Sequence, residues 1–540
     1  MTTVYDYLIV GAGSAGCVLA NRLSESGRHR VLLLEAGGSE RRLRVQVPIG
    51  YGLSFFDPSL NWMYRTEPDP LLAGRVGYWP RGKVLGGSSS INAMVYVRGQ
   101  PGDFDRWRDE GNPGWGWNDV LPYFRKMETV AAGPDAIRGH DGPLRISHPI
   151  NDVHPLCASF VHAGTQIGQA ANPGFNGNSA EGLGVYEITS HQGRRVSTAS
   201  AYLRPAMRRA NLTVLTHARA SRIEFDGLRA TGVCFDRGGR LHRASAAREV
   251  ILCAGAINSP LLLQASGIGP ARLLQSLGIE VLHDAPATGR HLQDHLCIDH
   301  LYRARVPTLN DELRPWRGRL RTTLRYLLRR QGPFALSVNQ GGGFVRSVDS
   351  APAPDLQLYF SPLSYLRAPV GKRPLVSPDP FPGFLLSAQP CRPGSRGHVQ
   401  LGSPDPLAAP VIVPNSLAAP DDLALLLAGS KWLRRLAATP ALAGIIDQEL
   451  LPGTMHQSDE ALIDDIRQRA STVFHPVGTC RMGSDPARSV VDARLRVHGL
   501  TALRVIDASI FPSITSGNTN APTIMVAEKG ADLILKENQP

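Results

Sequence analysis

The chain has 540 residues, and its 58 Lys and Arg outnumber its 46 Asp and Glu, which gives a formal net charge of +12. Because 42% of the residues are hydrophobic and 19% are charged, the composition excludes a mainly disordered chain and is typical of a soluble globular protein with a sizeable core. Nowhere do about 18 apolar residues follow one another, so a membrane-spanning helix is not expected.

The first forty residues predict a strand, a turn, a helix and a second strand. Residues 5–10 form an apolar run, and residues 14–26 carry apolar side chains at helical spacing until Gly27 stops the helix. Val31–Leu34 is a short apolar run that ends at Glu35, as expected of a buried strand. This βαβ unit predicts a parallel sheet with helices packed on it.

The turn between the first strand and the helix contains Gly11, Gly13 and Gly16. The first glycine permits the tight turn, the second lets the backbone approach a pyrophosphate, and the third lets the helix pack closely. Glu35 ends the next strand, where a carboxylate can accept hydrogen bonds from a ribose diol. This context predicts a dinucleotide site, although the motif fits both NAD and FAD.

Two later apolar stretches end in a similar way. Residues 250–253 lead into the small residues 254–255, and residues 503–506 lead into residues 507–508. Open α/β sheets bind ligands at the carboxyl ends of their strands, so these residues are expected beside the glycine turn. Their separation in sequence predicts a discontinuous nucleotide-binding domain, and most of residues 301–469 are assigned to a second domain.

His475 is followed by Pro476 and Gly478, which would fix the backbone and hold the imidazole in place on a loop. The residues alone leave a catalytic histidine and an ordinary loop histidine open. Downstream, the polar loop 515–522 runs into a helix expected from about residue 523 to residue 535. The N-terminal end of that helix carries a partial positive charge, which would act on any group bound in front of it.

His291 and His295 are four residues apart with Asp294 between them, a spacing that can hold a metal ion. The sequence offers no third ligand at a matching spacing. A structural turn is therefore the favoured interpretation, and no metal is predicted.

Residues 314–330 hold seven arginines, and Leu320, Leu324, Leu327 and Leu328 recur there at helical spacing. A basic amphipathic helix can lie on a membrane. Docked in this way, the enzyme would deliver its electrons to a quinone in the membrane. The simpler interpretation is a surface helix with a solvated arginine face. The other basic residues are spread along the chain, and no nucleic-acid partner is expected.

The N-terminus and the cysteines bear on location. The first residues lack the basic segment and the long apolar segment of a signal peptide. The seven cysteines are scattered and form no C-x-x-C pair, which is typical of free thiols in a reducing compartment. A cytoplasmic location is expected, with peripheral contact at the inner face of the membrane as an open alternative.

Four segments together resemble the glucose–methanol–choline flavoprotein oxidoreductases, and most closely the choline dehydrogenase-like branch. They are residues 6–38, with the glycine turn and Glu35, residues 81–92, residues 255–269, and the C-terminal positions 475–479, 507–509 and 518–520. The resemblance covers nearly the whole chain.

The resemblance implies an α/β fold with a discontinuous, doubly wound, Rossmann-like FAD-binding domain and a second α+β substrate-binding domain built on an antiparallel sheet. The implied FAD-binding domain comprises residues 1–152, 193–300 and 470–540. The implied substrate-binding domain comprises residues 153–192 and 301–469.

The resemblance also implies the reaction, which is oxidation of a primary alcohol to the aldehyde with hydride transfer to flavin N5. His475 matches the family's catalytic histidine, which takes the hydroxyl proton, and Asn520 is aligned with its second catalytic position, where a carboxamide would orient the hydroxyl. The residues implied at the cofactor are Gly11, Gly13, Ser14, Ala15, Gly16, Glu35, Ala36, Gly87, Ser89, Asn92, Ala93, Met94, Val95, Ala220, Ala254, Gly255, Asp507, Ala508, Asn518 and Thr519.

Two departures from the family pattern bear on cofactor and substrate. Ile91 is aligned with the histidine that attaches FAD covalently in some members, so non-covalent FAD is expected. Gln340 is aligned with the glutamate that faces the quaternary ammonium in choline enzymes, which weighs against choline and favours a neutral alcohol.

Several alternatives stay open. They are a lyase or a fatty-acid photodecarboxylase on the same scaffold, and a choline dehydrogenase with membrane-linked electron transfer. The electron acceptor is expected to be O₂ or a quinone or other carrier, and the oligomeric state is not predicted.

Overall fold

Two sheets, one mainly parallel and one antiparallel, organise the chain, and this computed structural model describes residues 4–131, 136–365 and 377–537. The strands are β1 (Val4–Val10), β2 (Val31–Leu34), β3 (Tyr64–Asp69), β4 (Arg75–Trp79), β5 (Glu128–Val130), β6 (Leu144–Ile146), β7 (Gly182–Val185), β8 (Ser190–His191), β9 (Arg194–Arg195), β10 (Leu212–Leu215), β11 (Arg219–Asp226), β12 (Arg229–Arg237), β13 (Arg240–Leu252), β14 (Ile268–Gly269), β15 (His283–Asp284), β16 (Leu296–Ala304), β17 (Gly341–Val345), β18 (Leu356–Ser361), β19 (Gly383–Pro390), β20 (His398–Gln400), β21 (Val411–Val413), β22 (Ile446–Leu451), β23 (Ser471–Thr472) and β24 (Leu503–Val505).

The helices connect and cover these sheets. They are α1 (Ser14–Ser24), α2 (Leu43–Gln46), α3 (Tyr51–Ser54), α4 (Pro101–Asp109), α5 (Trp117–Met127), α6 (Leu156–Gln166), α7 (Arg204–Ala206), α8 (Gly255–Ala265), α9 (Ala271–Ser276), α10 (Leu309–Leu313), α11 (Trp316–Arg329), α12 (Pro420–Ala437), α13 (Pro440–Ala443), α14 (Asp459–Arg469) and α15 (Asn520–Glu537). Single 3₁₀ turns occur at Pro48–Gly50, Pro70–Leu72, Gly87–Ser90, Pro333–Ala335 and Ala508–Ile510.

The first sheet has the strand order β10-β2-β1-β13-β12-β11, and β24 also pairs with β13. The strands β10, β2, β1, β13 and β24 run parallel, whereas β13, β12 and β11 form an antiparallel meander. The first two strands and the helix between them lie where the sequence predicts them. Because every residue of β2 is buried, its continuous apolar run fits a strand covered on both faces.

The register of this sheet brings its functional strand ends together. Val10 pairs with both Leu34 and Leu252, and Leu252 pairs with Val505. The residues that follow these four strand ends therefore lie side by side along one edge of the sheet. This edge is the carboxyl edge, where ligands bind in open α/β sheets.

Helices α1 and α15 pack against each other, although about 500 residues separate them in sequence. The Arg22 guanidinium donates two hydrogen bonds, of 2.9 and 2.7 Å, to the fully buried carboxylate of Glu528. The hydroxyl of Tyr202 donates a third to the same carboxylate at 2.9 Å. This bidentate ion pair fixes the C-terminal helix against the glycine-turn helix.

The second sheet has the order β17-β18-β19-β16-β22, with β23 paired to β16, and all its pairs are antiparallel. Every residue of β18 and β19 is buried. Helix α12 packs on β16 and β19, and side chains of α6 join the same apolar cluster. One face of the sheet is thus covered by helices, and the other is left to line a cavity.

The predicted fold class is confirmed: a doubly wound parallel domain accompanies an antiparallel sheet with its own helices. The division into FAD-binding and substrate-binding residues stays a proposal. All seven cysteines are buried free thiols. Within the described ranges, no helix combines the length and the apolar character needed to cross a bilayer.

Candidate active site

One cavity runs from the carboxyl edge of the first sheet to the uncovered face of the second. Its wall includes the glycine turn, the loop 87–95, the loop 472–476 and the segment 518–523. Antiparallel-sheet residues such as Tyr359 complete it. The cavity therefore joins the predicted dinucleotide site to the predicted catalytic histidine.

The glycine turn has the geometry expected for a phosphate site. A side chain at Gly16 would lie 1.9 Å from the carbonyl oxygen of Gly11, so only glycine lets the helix approach the strand end. The nearest atom to a Cβ at Gly13 would be 3.7 Å away, so the backbone there faces open space. The α1 N-terminus has no side-chain cap, which leaves its backbone N–H groups available to an anion.

Glu35 closes the other side of the turn. Its two carboxylate oxygens accept hydrogen bonds from the backbone N–H groups of Ala12 at 2.9 Å and of Gly37 at 2.8 Å. Burial raises the pKa of this carboxyl group to about 7, and the two backbone hydrogen bonds oppose that rise. Glu35 lines the cavity, and a carboxylate has further acceptor positions for a ribose diol.

The loop 86–92 packs directly onto the glycine turn. A Cβ at Gly87 would lie 2.6 Å from the Cα of Gly13, so this contact requires glycine at position 87. The Ser89 hydroxyl donates to the carbonyl of Gly86 at 2.6 Å. The buried guanidinium of Arg195 donates to the side-chain oxygen of Asn92 at 2.7 Å. These bonds fix the loop that continues into the cavity wall.

Asp507 ties two strand ends together. Its carboxylate accepts hydrogen bonds from the backbone N–H of Gly255 at 2.8 Å, from the hydroxyl of Ser259 at 2.6 Å and from the backbone N–H of Ser509 at 2.8 Å. Burial raises the pKa of Asp507. Its carboxylate thus organises the start of α8 beside the cavity.

All the residues predicted at the cofactor line this cavity except Gly16 and Ser89, which are buried beside it. The glycine cradle, the free helix N-terminus and the buried carboxylate together fit the pyrophosphate and ribose of FAD. Residues that the motifs did not indicate, among them Trp62, Tyr64 and Arg219, extend the wall. The antiparallel strands β3 and β11 supply Tyr64 and Arg219, and neither carries a motif.

His475 is buried at the cavity wall and held from its backbone. Its N–H donates to Asp294 Oδ1 at 2.7 Å. The preceding Phe474 has a left-handed backbone with φ of 71°, and its carbonyl accepts from Arg81 Nη2 at 2.6 Å. Burial raises the pKa of Asp294 to about 6 and lowers that of Arg81 to about 10. The loop geometry thus presents the imidazole to the cavity, as the sequence predicts.

A chain of hydrogen bonds fixes the tautomer of His475. His295 Nε2 lies 3.0 Å from the Cys391 carbonyl oxygen, which can only accept, so Nε2 carries the hydrogen. Burial lowers the pKa of His295 to about 4, so the ring is neutral and its Nδ1 accepts. That atom lies 3.0 Å from His475 Nδ1, which must donate. His475 Nε2 therefore carries a lone pair.

Burial, with contributions from His295 and Arg81, holds the pKa of His475 well below its usual range. The ring is therefore neutral at neutral pH, which a proton acceptor requires. Among the described residues, no group of three or more His, Cys, Asp or Glu side chains that could hold a metal ion occurs, at His291 and His295 or elsewhere.

The carboxamide beside this lone pair belongs to Asn518. Its Nδ2 lies 3.1 Å from His475 Nε2, and Gln357 Nε2 lies 3.5 Å from its Oδ1. Asn520, which the family resemblance aligns with the second catalytic position, instead accepts a hydrogen bond from the Ser14 hydroxyl at 2.8 Å. Both asparagines line the cavity, but Asn518 is the one within hydrogen-bonding distance of the imidazole.

The antiparallel sheet supplies the far wall of the cavity. Asp299, Ser387 and Tyr359 are direct neighbours across three strands, and all three line it. The rings of Phe55 and Phe474 meet edge to face with their centres 5.0 Å apart at the same cavity. This wall therefore combines a carboxylate and hydroxyl groups with aromatic rings.

Ile91 and Gln340, the two positions that depart from the family pattern, have different surroundings. Ile91 lines the cavity, with an aliphatic side chain where some members carry a histidine. Gln340 is buried elsewhere: its Oε1 accepts from the backbone N–H of His154 at 2.7 Å, and Asn339 lines the cavity instead. Since Asp299 is also in the wall, the absence of a carboxylate at position 340 does not decide the charge of the substrate.

Known proteins match nearly the whole chain, and two family models match most of it. One model described as GMC oxidoreductase matches residues 5–297, and another with that description matches residues 393–527. The alcohol dehydrogenase (acceptor) of Pseudomonas putida is 42% identical and covers 99% of this chain and 96% of its own. Mitochondrial choline dehydrogenase of Homo sapiens is 44% identical, covering 98% and 89%. The structure of pyridoxine 4-oxidase from Mesorbium loti superposes with a TM-score of 0.89 at 34% identity, covering 99% and 100%.

Proposed function

Because the chain belongs to the GMC oxidoreductase family and is an FAD-dependent alcohol oxidoreductase, we propose that it converts a primary alcohol to the aldehyde, with His475 as the base. The observation that carries the proposal is the lone pair on His475 Nε2, which the hydrogen bond to His295 fixes at the cavity wall. When bound, FAD supplies the acceptor for the hydride that leaves the alcohol carbon.

Two side chains of the protein would accept the hydroxyl proton and stabilise the alkoxide. An alcohol hydroxyl that replaces the direct hydrogen bond between His475 and Asn518 would donate to Nε2 and accept from the carboxamide Nδ2. Transfer of the hydroxyl proton to Nε2 leaves the imidazole protonated on both nitrogens, and the carboxamide then stabilises the alkoxide. Asn518 takes this role in the proposal rather than Asn520, because its carboxamide is the one beside the imidazole.

FAD is proposed to bind non-covalently along the glycine turn, Glu35 and the loop 87–95. The aliphatic side chain of Ile91 supports this, since it offers no nucleophile at the position where a histidine attaches FAD in some members. Acid precipitation should release the flavin into the supernatant. Flavin that stays in the pellet would contradict non-covalent binding.

The proposed partners are a small alcohol and an electron acceptor, either O₂ or a quinone or other carrier. Seven free cysteines support a reducing compartment such as the cytoplasm. The relatives found are alcohol and choline dehydrogenases and oxidases, so the lyase and photodecarboxylase alternatives are not favoured.

Anaerobic stopped-flow mixing of the FAD-loaded protein with a panel of alcohols tests the proposal. The panel contains aliphatic, aromatic and cationic primary alcohols, because Asp299 and aromatic rings both line the cavity. At least one alcohol should bleach the flavin absorbance, with the aldehyde as product. His475→Ala should slow this reduction by about 10² or more. A panel that leaves the flavin oxidised in folded protein, or an unchanged rate in His475→Ala, would refute it.

A further inference from the structure

Helix α11 presents its leucines to solvent. Leu328 is 81% exposed, Trp316 64%, Leu327 57%, Leu320 50% and Leu324 48%. An ordinary surface helix buries its apolar stripe against the core. Here the apolar stripe faces outward together with the arginines, so the arginines are solvated as the simpler interpretation expects, but the leucines do not face the core.

The inward face of α11 shows why this orientation is fixed. Thr322 and Tyr326, one turn apart, are the buried residues of the helix. The Tyr326 hydroxyl donates to the carbonyl of Gly193 at 3.0 Å, and its ring meets Phe334 edge to face at 6.2 Å. These contacts hold the helix by its polar and aromatic side. The leucines, on the opposite side, are left for another partner.

Cationic side chains flank the exposed leucines. Six arginines from the helix and its N-terminal approach are exposed, namely Arg314, Arg317, Arg319, Arg321, Arg325 and Arg329. Asp311 and Glu312 are the acidic residues nearest in sequence, and they precede the helix. The surface thus combines an apolar stripe with dense positive charge.

We propose that this outward face of α11 docks on the surface of a bilayer that contains anionic lipid, with the leucines and Trp316 inserted among the acyl chains. Lipid phosphates match the arginines, and the apolar stripe matches the boundary between headgroups and acyl chains. A second copy of the chain fits less well, because a symmetric dimer through this face would oppose two arginine clusters. The inference does not depend on which alcohol is oxidised.

Co-sedimentation of the full FAD-loaded chain with vesicles tests the docking. The protein should sediment with phosphatidylcholine vesicles containing phosphatidylglycerol, and should stay in the supernatant with phosphatidylcholine alone. Leu327→Ser with Leu328→Ser should lower the affinity about tenfold or more, because two exposed leucines no longer insert. Leu228→Ser with Leu241→Ser is the matched control, since those leucines are 49% and 66% exposed, in the turn before β12 and at the start of β13. This control should bind like the parent.

Trp316 gives a second readout. Its fluorescence should shift to shorter wavelength on anionic vesicles, and the shift should disappear in Trp316→Phe. Arg321→Gln with Arg325→Gln should weaken binding and reduce its dependence on salt. All variants should keep the FAD content and flavin-reduction rate of the parent with a water-soluble alcohol, which shows that they are folded and separates this test from that of the proposed function.

Three results would overturn the docking proposal. The first is no sedimentation with anionic vesicles at low salt. The second is binding that the leucine variant leaves unchanged, since charge alone would then explain it. The third is a concentration-dependent dimer that the same leucine substitutions dissolve, because a second copy would then occupy the face.

Discussion

His295 and His475 face each other through their Nδ1 atoms, 3.0 Å apart, and the carbonyl of Cys391 on the far side of His295 decides which ring donates. The consequence for His475 is a fixed neutral tautomer whose Nε2 acts as an acceptor, and here it accepts from Asn518 Nδ2 at 3.1 Å. A histidine whose partner is another neutral histidine keeps its proton affinity low, because no carboxylate stabilises the protonated ring directly. The proton affinity of His475 during the reaction therefore depends largely on Asn518 and on the bound substrate.

Removing the acceptor from position 295 should slow flavin reduction. His295→Leu leaves His475 Nδ1 without its buried partner, and we expect a loss of about 10- to 100-fold in the reduction rate at saturating alcohol. His295→Asn should recover most of that rate, since an asparagine oxygen can take the place of Nδ1. Stopped-flow reduction at several pH values measures both variants.

The control for this prediction is His300→Asn. His300 is also buried and bonded, with Nε2 2.8 Å from the Ser430 hydroxyl, but it lies on the helix-covered side of the second sheet. Its substitution should leave the rate of reduction unchanged. Equal rates in His295→Leu and the parent protein would show that His295 does not position the base.

Substitution of Asn518 and substitution of Asn520 should have different effects on the kinetics of flavin reduction. Asn518→Ala removes the carboxamide at 3.1 Å from His475 Nε2, and we expect the limiting rate of flavin reduction to fall by about 10² or more. Asn520→Ala breaks the hydrogen bond with Ser14 instead, so its main effect should be weaker FAD binding. Rates and FAD titrations of both variants give the comparison. A larger loss of rate in Asn520→Ala would return the catalytic role to position 520.

Acid should destabilise the protein through His295. The pKa of this ring is lowered by burial to about 4, against an unfolded value of 6.5, so the unfolded chain binds the extra proton between those pH values. The contribution of His295 to the free energy of unfolding is complete above pH 6.5 and declines as the pH falls below that value. Between pH 7 and pH 5 the loss is roughly 2 kcal/mol.

Denaturant unfolding of the parent and of His295→Asn at both pH values measures this contribution. The variant should lose less stability on acidification than the parent protein by roughly that amount. Asp294 acts in the opposite direction, because burial raises its pKa to about 6, but it is present in both proteins. Identical acid sensitivity of the two would contradict the prediction.

Glu35→Gln should weaken FAD binding. Both carboxylate oxygens accept backbone N–H groups, so a glutamine would direct its own NH₂ donor at one of them. Such a mismatch costs about 1–3 kcal/mol, and the affinity for FAD should fall about tenfold or more. FAD titration of the apoprotein, followed by fluorescence, gives the dissociation constant. Glu25→Gln changes a 58% exposed side chain at the C-terminal end of α1, outside the cavity wall, and this variant should bind FAD like the parent.

The sequence by itself determined the nucleotide half of the site. The glycine turn, the helix after it and Glu35 are close in the chain, and their geometry follows from local backbone rules. Val31–Leu34 and the start of α1 occur where the pattern predicts them. The loop after His475 was recognisable for the same reason, since Pro476 and Gly478 act locally.

The tertiary structure alone decided which distant side chains meet. His295 lies 180 residues before His475, and its role depends on how β16 and the 472–476 loop approach each other. The choice between Asn518 and Asn520 depends on where α15 begins, which turns one carboxamide toward the imidazole and the other toward Ser14. The direction of the α11 leucines was likewise set by the packing of Tyr326, because helical spacing defines a stripe but not the side on which it faces.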